Sequence, residues 1–324
     1  MAIPLRANLF WRLASLIDRA SAATLTADNV RASSDRRKKL TALPGMTLFL
    51  GRTDRGAQAE DSVAELPDGT ALPVRVYRPR AASGTALPVV VYFHGGGWVS
   101  GDARQSEWWC SSIAAQADVV VVSVDYRLAP EHPFPVPGQD CYVATVWVME
   151  HAEELGVDAT RLAVMGDSAG GNLSAVVCLM ARDQGGPAIA LQVLLYPSVE
   201  IVESFPSEDE NAHAPVLTKA DLTVFSRLYL GGADGTDPYA SPLRGKHTGL
   251  PRALIQTAQH DPLRDHGPAY AAALRDSGVE VRLTNYVDAV HGYVSLPGIV
   301  PAARQALAEA VVEVRSALQA SISL

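Results

Sequence analysis

Leu162-Ala163-Val164-Met165-Gly166-Asp167-Ser168-Ala169-Gly170-Gly171 is the stretch on which the reading of this chain turns. Four apolar residues read as a buried strand. A serine follows with glycines two places before and after it, and an apolar helical pattern continues to about residue 183. G-x-S-x-G is too short a string to carry much alone. Its placement between strand and helix is what gives it weight. A strand that reverses sharply into a helix brings the two backbones almost into collision, so only very small residues fit beside the serine. The same turn sets Ser168 at a helix N-terminus, where backbone N–H groups favour negative charge.

Outward from this turn, strand and helix patterns alternate. Val74–Arg78 alternates apolar and polar like a half-buried strand. Val89–Phe93 and Val119–Val124 are continuous β-branched or aromatic runs, the texture of strands buried on both faces. Leu191–Leu195, Ala253–Thr257 and Val279–Leu283 continue the series. Helical patterns cover roughly 138–155, 169–183, 264–277 and 301–319. Such alternation predicts an α/β fold, a mostly parallel central sheet with helices on both faces. Reacting groups in such sheets lie beyond the carboxyl ends of the strands. The alternation lapses at 198–250, where Thr218-x-x-Asp221 ahead of Leu222, Phe225 and Tyr229 is a capping-box helix start. This segment is read as an excursion outside the sheet layer.

His94-Gly95-Gly96-Gly97 follows the strand at 89–93 directly. Glycines there let main-chain N–H groups approach a substrate oxygen, so Gly96, Gly97 and Ala169 are the candidate donors of an oxyanion hole. His94 is read as a residue that pins this loop. A nucleophilic serine needs a base, and the base an orienting acid; in α/β-hydrolases the three follow the chain order serine, acid, histidine. Among His213, His247, His260, His266 and His291, the last follows a strand end and precedes Gly292, which makes it the candidate base. His266 reads as a surface residue in the first turns of a helix. Asp261, just past the strand at 253–257, is the candidate acid; Asp265, a helix N-terminal carboxylate, and Asp288 are the alternatives. A base must be neutral, so activity is expected to rise with pH through the ordinary imidazole range, ~6–7.

Composition narrows the classes further. The 324 residues carry 27 basic and 35 acidic side chains, a net charge of −8, which argues against nucleic acid as a partner. Arg36–Lys39 reads as a solvated helix face. Three cysteines without a C-x-x-C spacing argue against a disulfide framework or zinc site and for a reducing, cytoplasmic setting. No apolar stretch reaches the ~18 residues of a membrane span. Arg12 and Asp18 interrupt the apolar N-terminal run, so Leu5, Leu9, Leu13, Leu16, Ile17 and Ala20 read as one stripe of an amphipathic packing helix.

With these residues in place, the chain resembles the bacterial hormone-sensitive-lipase-like esterases, α/β-hydrolases marked by HGGG upstream and GDSAGG at the nucleophile. Asp125–Pro135, Asp237–Leu243 and Asp261–Gly267 resemble further blocks of that family, and His291-Gly292-Tyr293 resembles its HGF motif with tyrosine for phenylalanine. The likeness covers roughly residues 70–315. It implies the α/β-hydrolase fold, carboxylic ester hydrolysis without metal or organic cofactor, and a helical cap from 1–45 and 198–235 over a catalytic domain of 46–197 and 236–324. It also implies short-to-medium acyl esters and a possible homodimer through the last strand and helix. Amidase or acyltransferase chemistry with the same triad, or a non-catalytic ligand-binding protein on this scaffold, are the alternatives. Trp98 and Tyr196 are candidate pocket residues, Trp108 and Trp109 read as packing, and Asp167 as the holder of a nearby loop. Asp125, Arg127 and Glu131 are expected to form one buried polar network.

Overall fold

The computed structural model of the chain describes residues 26–81 and 86–319. Its strands are β1 (Ala57–Glu65), β2 (Ala71–Pro79), β3 (Leu87–Phe93), β4 (Val120–Val124), β5 (Val157–Asp167), β6 (Ile189–Leu195), β7 (Arg252–His260) and β8 (Val281–Val290). They form one sheet in the order β1-β2-β4-β3-β5-β6-β7-β8. β1 and β2 run antiparallel, β2 is antiparallel to β4, and every other pair is parallel.

The helices are α1 (Val30–Thr41), α2 (Thr47–Leu50), α3 (Glu107–Ala117), α4 (Val136–Glu150), α5 (Ala169–Gln184), α6 (Pro206–Glu210), α7 (Lys219–Leu230), α8 (His266–Asp276) and α9 (Ala302–Leu318). The continuous apolar run of β3 has a physical reason. Val89, Val91 and Phe93 enter one core with residues of α4, α5 and α8, while Val90 and Tyr92 enter a second core with residues of α3 and α9. Each such side chain, removed fully from water, stabilises the fold by roughly 1.5–3 kcal/mol. A polar residue on either face would forfeit that and leave an unpaired group.

Every strand and helix expected from the alternating pattern is present, with shifted ends. β8 runs to Val290 rather than stopping near 283, and that extension delivers the chain to His291. Besides the short helices α2 and α6, two longer elements have no counterpart in the sequence reading. β1 buries only Ala57 and Ala64 of its nine residues and is an outer strand held by its pairing with β2. α3 is apolar on too many sides to show a stripe; seven of its eleven residues are buried.

The excursion at 198–250 contains α6 and α7. Thr218 accepts a hydrogen bond from the Asp221 N–H and the Asp221 carboxylate accepts one from the Thr218 N–H, which is the expected capping box. A small core of Val30, Val99, Ala129, Val224 and Leu228, with Phe225 at its edge, joins α1, the loop after His94 and α7. Arg36, Lys38 and Lys39 are exposed on α1, as expected of a solvated face, and Lys38 pairs with Asp102 at 2.9 Å. The stripe expected at 5–20 lies outside the described residues. Among the described residues no helix is long and apolar enough to cross a membrane.

Candidate active site

The turn between β5 and α5 is as tight as its glycines require. A Cβ on Gly166 would fall 2.3 Å from the Gly170 carbonyl oxygen, and one on Gly170 would fall 1.9 Å from that of Phe93. Ser168 itself has φ +56 and ψ −116, a backbone conformation rare for a residue with a side chain. The surroundings hold it there: its N–H donates to Leu195 O at 2.8 Å, and the Asn172 amide in the first turn of α5 donates to Ser198 O and Ala240 O.

β7 and β8 end beside this turn. Asp261 and His291, each just past a strand end, meet Ser168 in a row. The Ser168 hydroxyl lies 2.9 Å from His291 Nε2, and His291 Nδ1 lies 2.7 Å from Asp261 Oδ2. An ionised carboxylate only accepts, so Nδ1 carries its proton toward Asp261 and Nε2 faces the serine as an acceptor. Asp261 is fully buried, and its second oxygen accepts from the Leu263 N–H at 2.8 Å. The alternatives fall elsewhere. Asp265 precedes α8 and binds Arg264 and the Ser207 N–H. Asp288 is partly exposed on β8.

The glycine loop faces the same turn. Gly96 and Gly97 have φ of +124 and +63. A Cβ on Gly96 would overlap the Ser100 carbonyl oxygen at 2.1 Å. Asp167, next to the serine, reaches across to this loop. Its carboxylate accepts from the Gly95 N–H at 2.9 Å and from the Tyr92 hydroxyl at 2.6 Å. Burial pushes its pKa up, and those two donors oppose the shift by favouring the charged form. His94 is fully buried, places Nδ1 2.8 Å from the Gly95 oxygen and stacks on Tyr126 at 4.3 Å; Tyr126 in turn donates to the His94 oxygen. Burial lowers the His94 pKa to about 4, so it is neutral near pH 7 and acts as a packed strut.

A family described as alpha/beta hydrolase fold matches residues 90–295. The chain belongs to it. Within it, the chain is 41% identical over 313 residues to carboxylesterase NlhH of Mycobacterium tuberculosis, covering 95% of this chain and 96% of that one. It is 46% identical over 257 residues to esterase LipI of the same organism, covering 78% and 80%. Among solved structures, the ester-hydrolase EH1AB1 from the metagenome of Lake Arreo, complexed with a derivative of bipyridine phosphonate, superposes with a TM-score of 0.89. That protein is 34% identical, and the match covers 98% of this chain and 99% of the other. These relatives make the chain a member of the hormone-sensitive-lipase-like carboxylesterases.

Other sequence expectations in this family member need correction or placement. His266 is not a surface residue: it is 2% exposed, accepts from the Val199 N–H at 3.2 Å and packs on Phe205. The amphipathic pattern of α8 did not reveal that the chain after β6 folds over its first turn. Asp125, Arg127 and Glu131 do not form one network. Arg127 makes a multiple contact with buried Asp140, Glu131 pairs with Arg31 of α1, and Asp125 lies 3.9 Å from His94 Nε2. Trp98 is buried and stacks on Tyr229 of α7 at 4.3 Å. Tyr196 is fully buried with its ring edge-on to the His291 imidazole at 4.8 Å. Trp109 is core, and Trp108 meets it edge to face. Glu200 had no signal in the sequence. It is 5% exposed at the entry to the excursion, accepts from the N–H groups of Ile201, Val202 and Glu203, and pairs with Arg244.

Proposed function

We propose that this protein hydrolyses carboxylic esters of small molecules, with Ser168 as nucleophile, His291 as general base and acid, and Asp261 as the residue that orients and stabilises the imidazole. The observation that carries the reading is the unbroken row of hydrogen bonds from Ser168 through His291 to buried Asp261. Nε2 takes the serine proton as Oγ attacks the ester carbonyl. The charge that forms on the carbonyl oxygen is met by the N–H groups of Gly96, Gly97 and Ala169. The N–H of Ala169 opens α5 and has no partner within the helix, and the glycine loop is braced by Asp167. Each such donor is worth about 3 kcal/mol at the transition state. Nε2 then gives its proton to the departing alkoxide. Water releases the acid by the same steps in reverse roles.

We assign the cap to 1–45, of which residues 1–25 lie outside the described residues, and to 198–235, and the catalytic domain to 46–197 and 236–324. The joint core of α1 and α7 above the glycine loop supports that division. Tyr196 backs the imidazole, and Trp98 carries the floor beneath α7. The substrates are assigned to short-to-medium acyl esters. The chemistry uses no cofactor and no nucleic-acid partner. A cytoplasmic setting agrees with three buried, free cysteines. A homodimer is assigned to the last strand and helix, β8 and α9, where Val287 and Val312 are exposed. The test is Ser168→Ala against a short-chain p-nitrophenyl ester. The expected loss in kcat is on the order of 10⁴-fold or more. Activity within about tenfold of the wild type rejects the nucleophile.

A further inference from the structure

Two apolar side chains of the cap segment approach the two glycine-bearing loops that flank Ser168. Phe225 of α7 lies over the glycine loop: a Cβ on Gly97 would fall 2.5 Å from its Cγ and 2.7 Å from each Cδ. Val216, two residues before the Thr218 cap of α7, approaches the residue after the base: a Cβ on Gly292 would lie 3.6 Å from Val216 Cγ1.

Val216 is unusual in a second way. Its φ is +74, a left-handed conformation that is a genuine outlier for a β-branched residue, and it is 49% exposed. A half-exposed valine gains little from packing to offset that cost. Its neighbours hold it in place. Leu217 is buried, Thr218 is locked in the capping box, and the Lys219 N–H donates to Ala212 O at 3.1 Å. Strain retained where burial does not reward it marks a position kept for function.

The chemistry assigns a side to each residue. The tetrahedral carbon formed at Ser168 has four substituents. One is the serine oxygen. The oxyanion points at the glycine-loop and Ala169 N–H groups. The leaving oxygen must face His291 Nε2 to receive its proton, so the alcohol portion extends past the histidine loop. The acyl chain takes the remaining direction, under the cap helix that covers the glycine loop. On the reading of ester hydrolysis above, we infer that Val216 bounds the alcohol portion and Phe225 bounds the acyl portion, so that the two side chains select substrate size independently.

The test is a crossed pair of substrate series measured as ratios of kcat/KM. The acyl series is p-nitrophenyl acetate against octanoate; the alcohol series is methyl against benzyl butyrate. Phe225→Ala is expected to raise the octanoate-to-acetate ratio by about tenfold, and Phe225→Trp to lower it, each leaving the benzyl-to-methyl ratio within about twofold. Val216→Gly is expected to shift the benzyl-to-methyl ratio by about fivefold and leave the acyl ratio within about twofold. Because glycine relieves the strained φ, its Tm should stay within about 3 °C of the wild type. A purely structural role would lower all four rates together and leave the ratios unchanged, and that result overturns the inference. So does a shift of both ratios by either variant. If the wild type hydrolyses none of these esters, the assigned reaction fails. Size selection is then read from rates of Ser168 phosphonylation by small and bulky fluorophosphonates, and equal rate ratios in wild type and variants overturn it.

Discussion

The wall of the site built from the sheet and the wall built from the segment we assign to the cap are held by different forces. On the sheet side, backbone meets backbone. Gly166 and Gly170 leave no space for a methyl group, and Asp261 and Asp167 are buried among fixed donors. On the cap side, side chains meet glycines. Phe225 overlies Gly97, Val216 approaches Gly292, and Trp98 stacks on Tyr229. Collisions and buried hydrogen bonds tolerate little displacement, whereas apolar contacts can be resized one at a time. On the function and the size selection proposed above, the difference divides the two properties: rate belongs to the sheet side, choice of ester to the cap side.

The largest effects are therefore expected from the sheet side, and they should be the same for every ester. His291→Ala should lower kcat by on the order of 10⁴–10⁶-fold on both acetate and octanoate esters. An equal loss across the acyl series keeps the two walls distinct; a loss confined to one chain length would merge them. Asp261→Asn retains the shape but lets the amide hold the imidazole in the wrong tautomer. A drop of about 10⁴-fold is expected from steady-state kinetics. A drop below about tenfold would move the orienting role to another group.

Asp167 tests the link between the two loops of the sheet side. Asp167→Ala removes the acceptor of the Gly95 N–H and of the Tyr92 hydroxyl, and kcat should fall by about 10- to 100-fold with KM changed less. Asp167→Asn keeps an acceptor and should recover most of that loss. If both variants behave alike, the carboxylate does not brace the oxyanion loop through these bonds.

The smallest effect is one of stability and lies near helix α1, whose Lys38 pairs with Asp102. Burial, and then the Asp102 carboxylate, raise the Asp125 pKa to about 6, while Lys38 opposes the shift. A carboxyl whose pKa is higher folded than unfolded favours folding when protonated. That contribution is complete below the model-peptide value of 3.8 and is lost as pH rises through about 6. Asp125→Asn should remove this slope and raise stability near pH 7 by about 1 kcal/mol, allowing for solvent screening of a side chain that is 32% exposed. Denaturant melts at pH 4 and pH 7 measure it. A variant whose stability changes with pH as the wild type's does would remove Asp125 from the account.

Much of the sheet side was legible because its constraints are local. A glycine forced by a backbone collision stays a glycine, so Gly166-x-Ser168-x-Gly170 and His94–Gly97 stand out beside their strands. Strands buried on both faces are mostly apolar, with a few paired polar residues such as Gln192 and Gln256, which made β3 to β7 readable. β1 was not, because an exposed outer strand has no pattern to keep. The cap side was scarcely legible. Phe225 read only as one residue of a helix stripe, and nothing at Val216 announces its positive φ. His266 was misplaced for the same reason: its burial is decided by Phe205 and Val199, which fold back from the excursion. Contacts between segments far apart in the chain leave no periodicity behind.

The most direct test is the intact mass of the protein after brief exposure to a fluorophosphonate, followed by peptide mapping. The account predicts one phosphonyl adduct, on Ser168, formed rapidly in the wild type, far more slowly in His291→Ala and not at all in Ser168→Ala. An adduct on any other residue, or labelling of Ser168 that proceeds as fast without the imidazole, would contradict it.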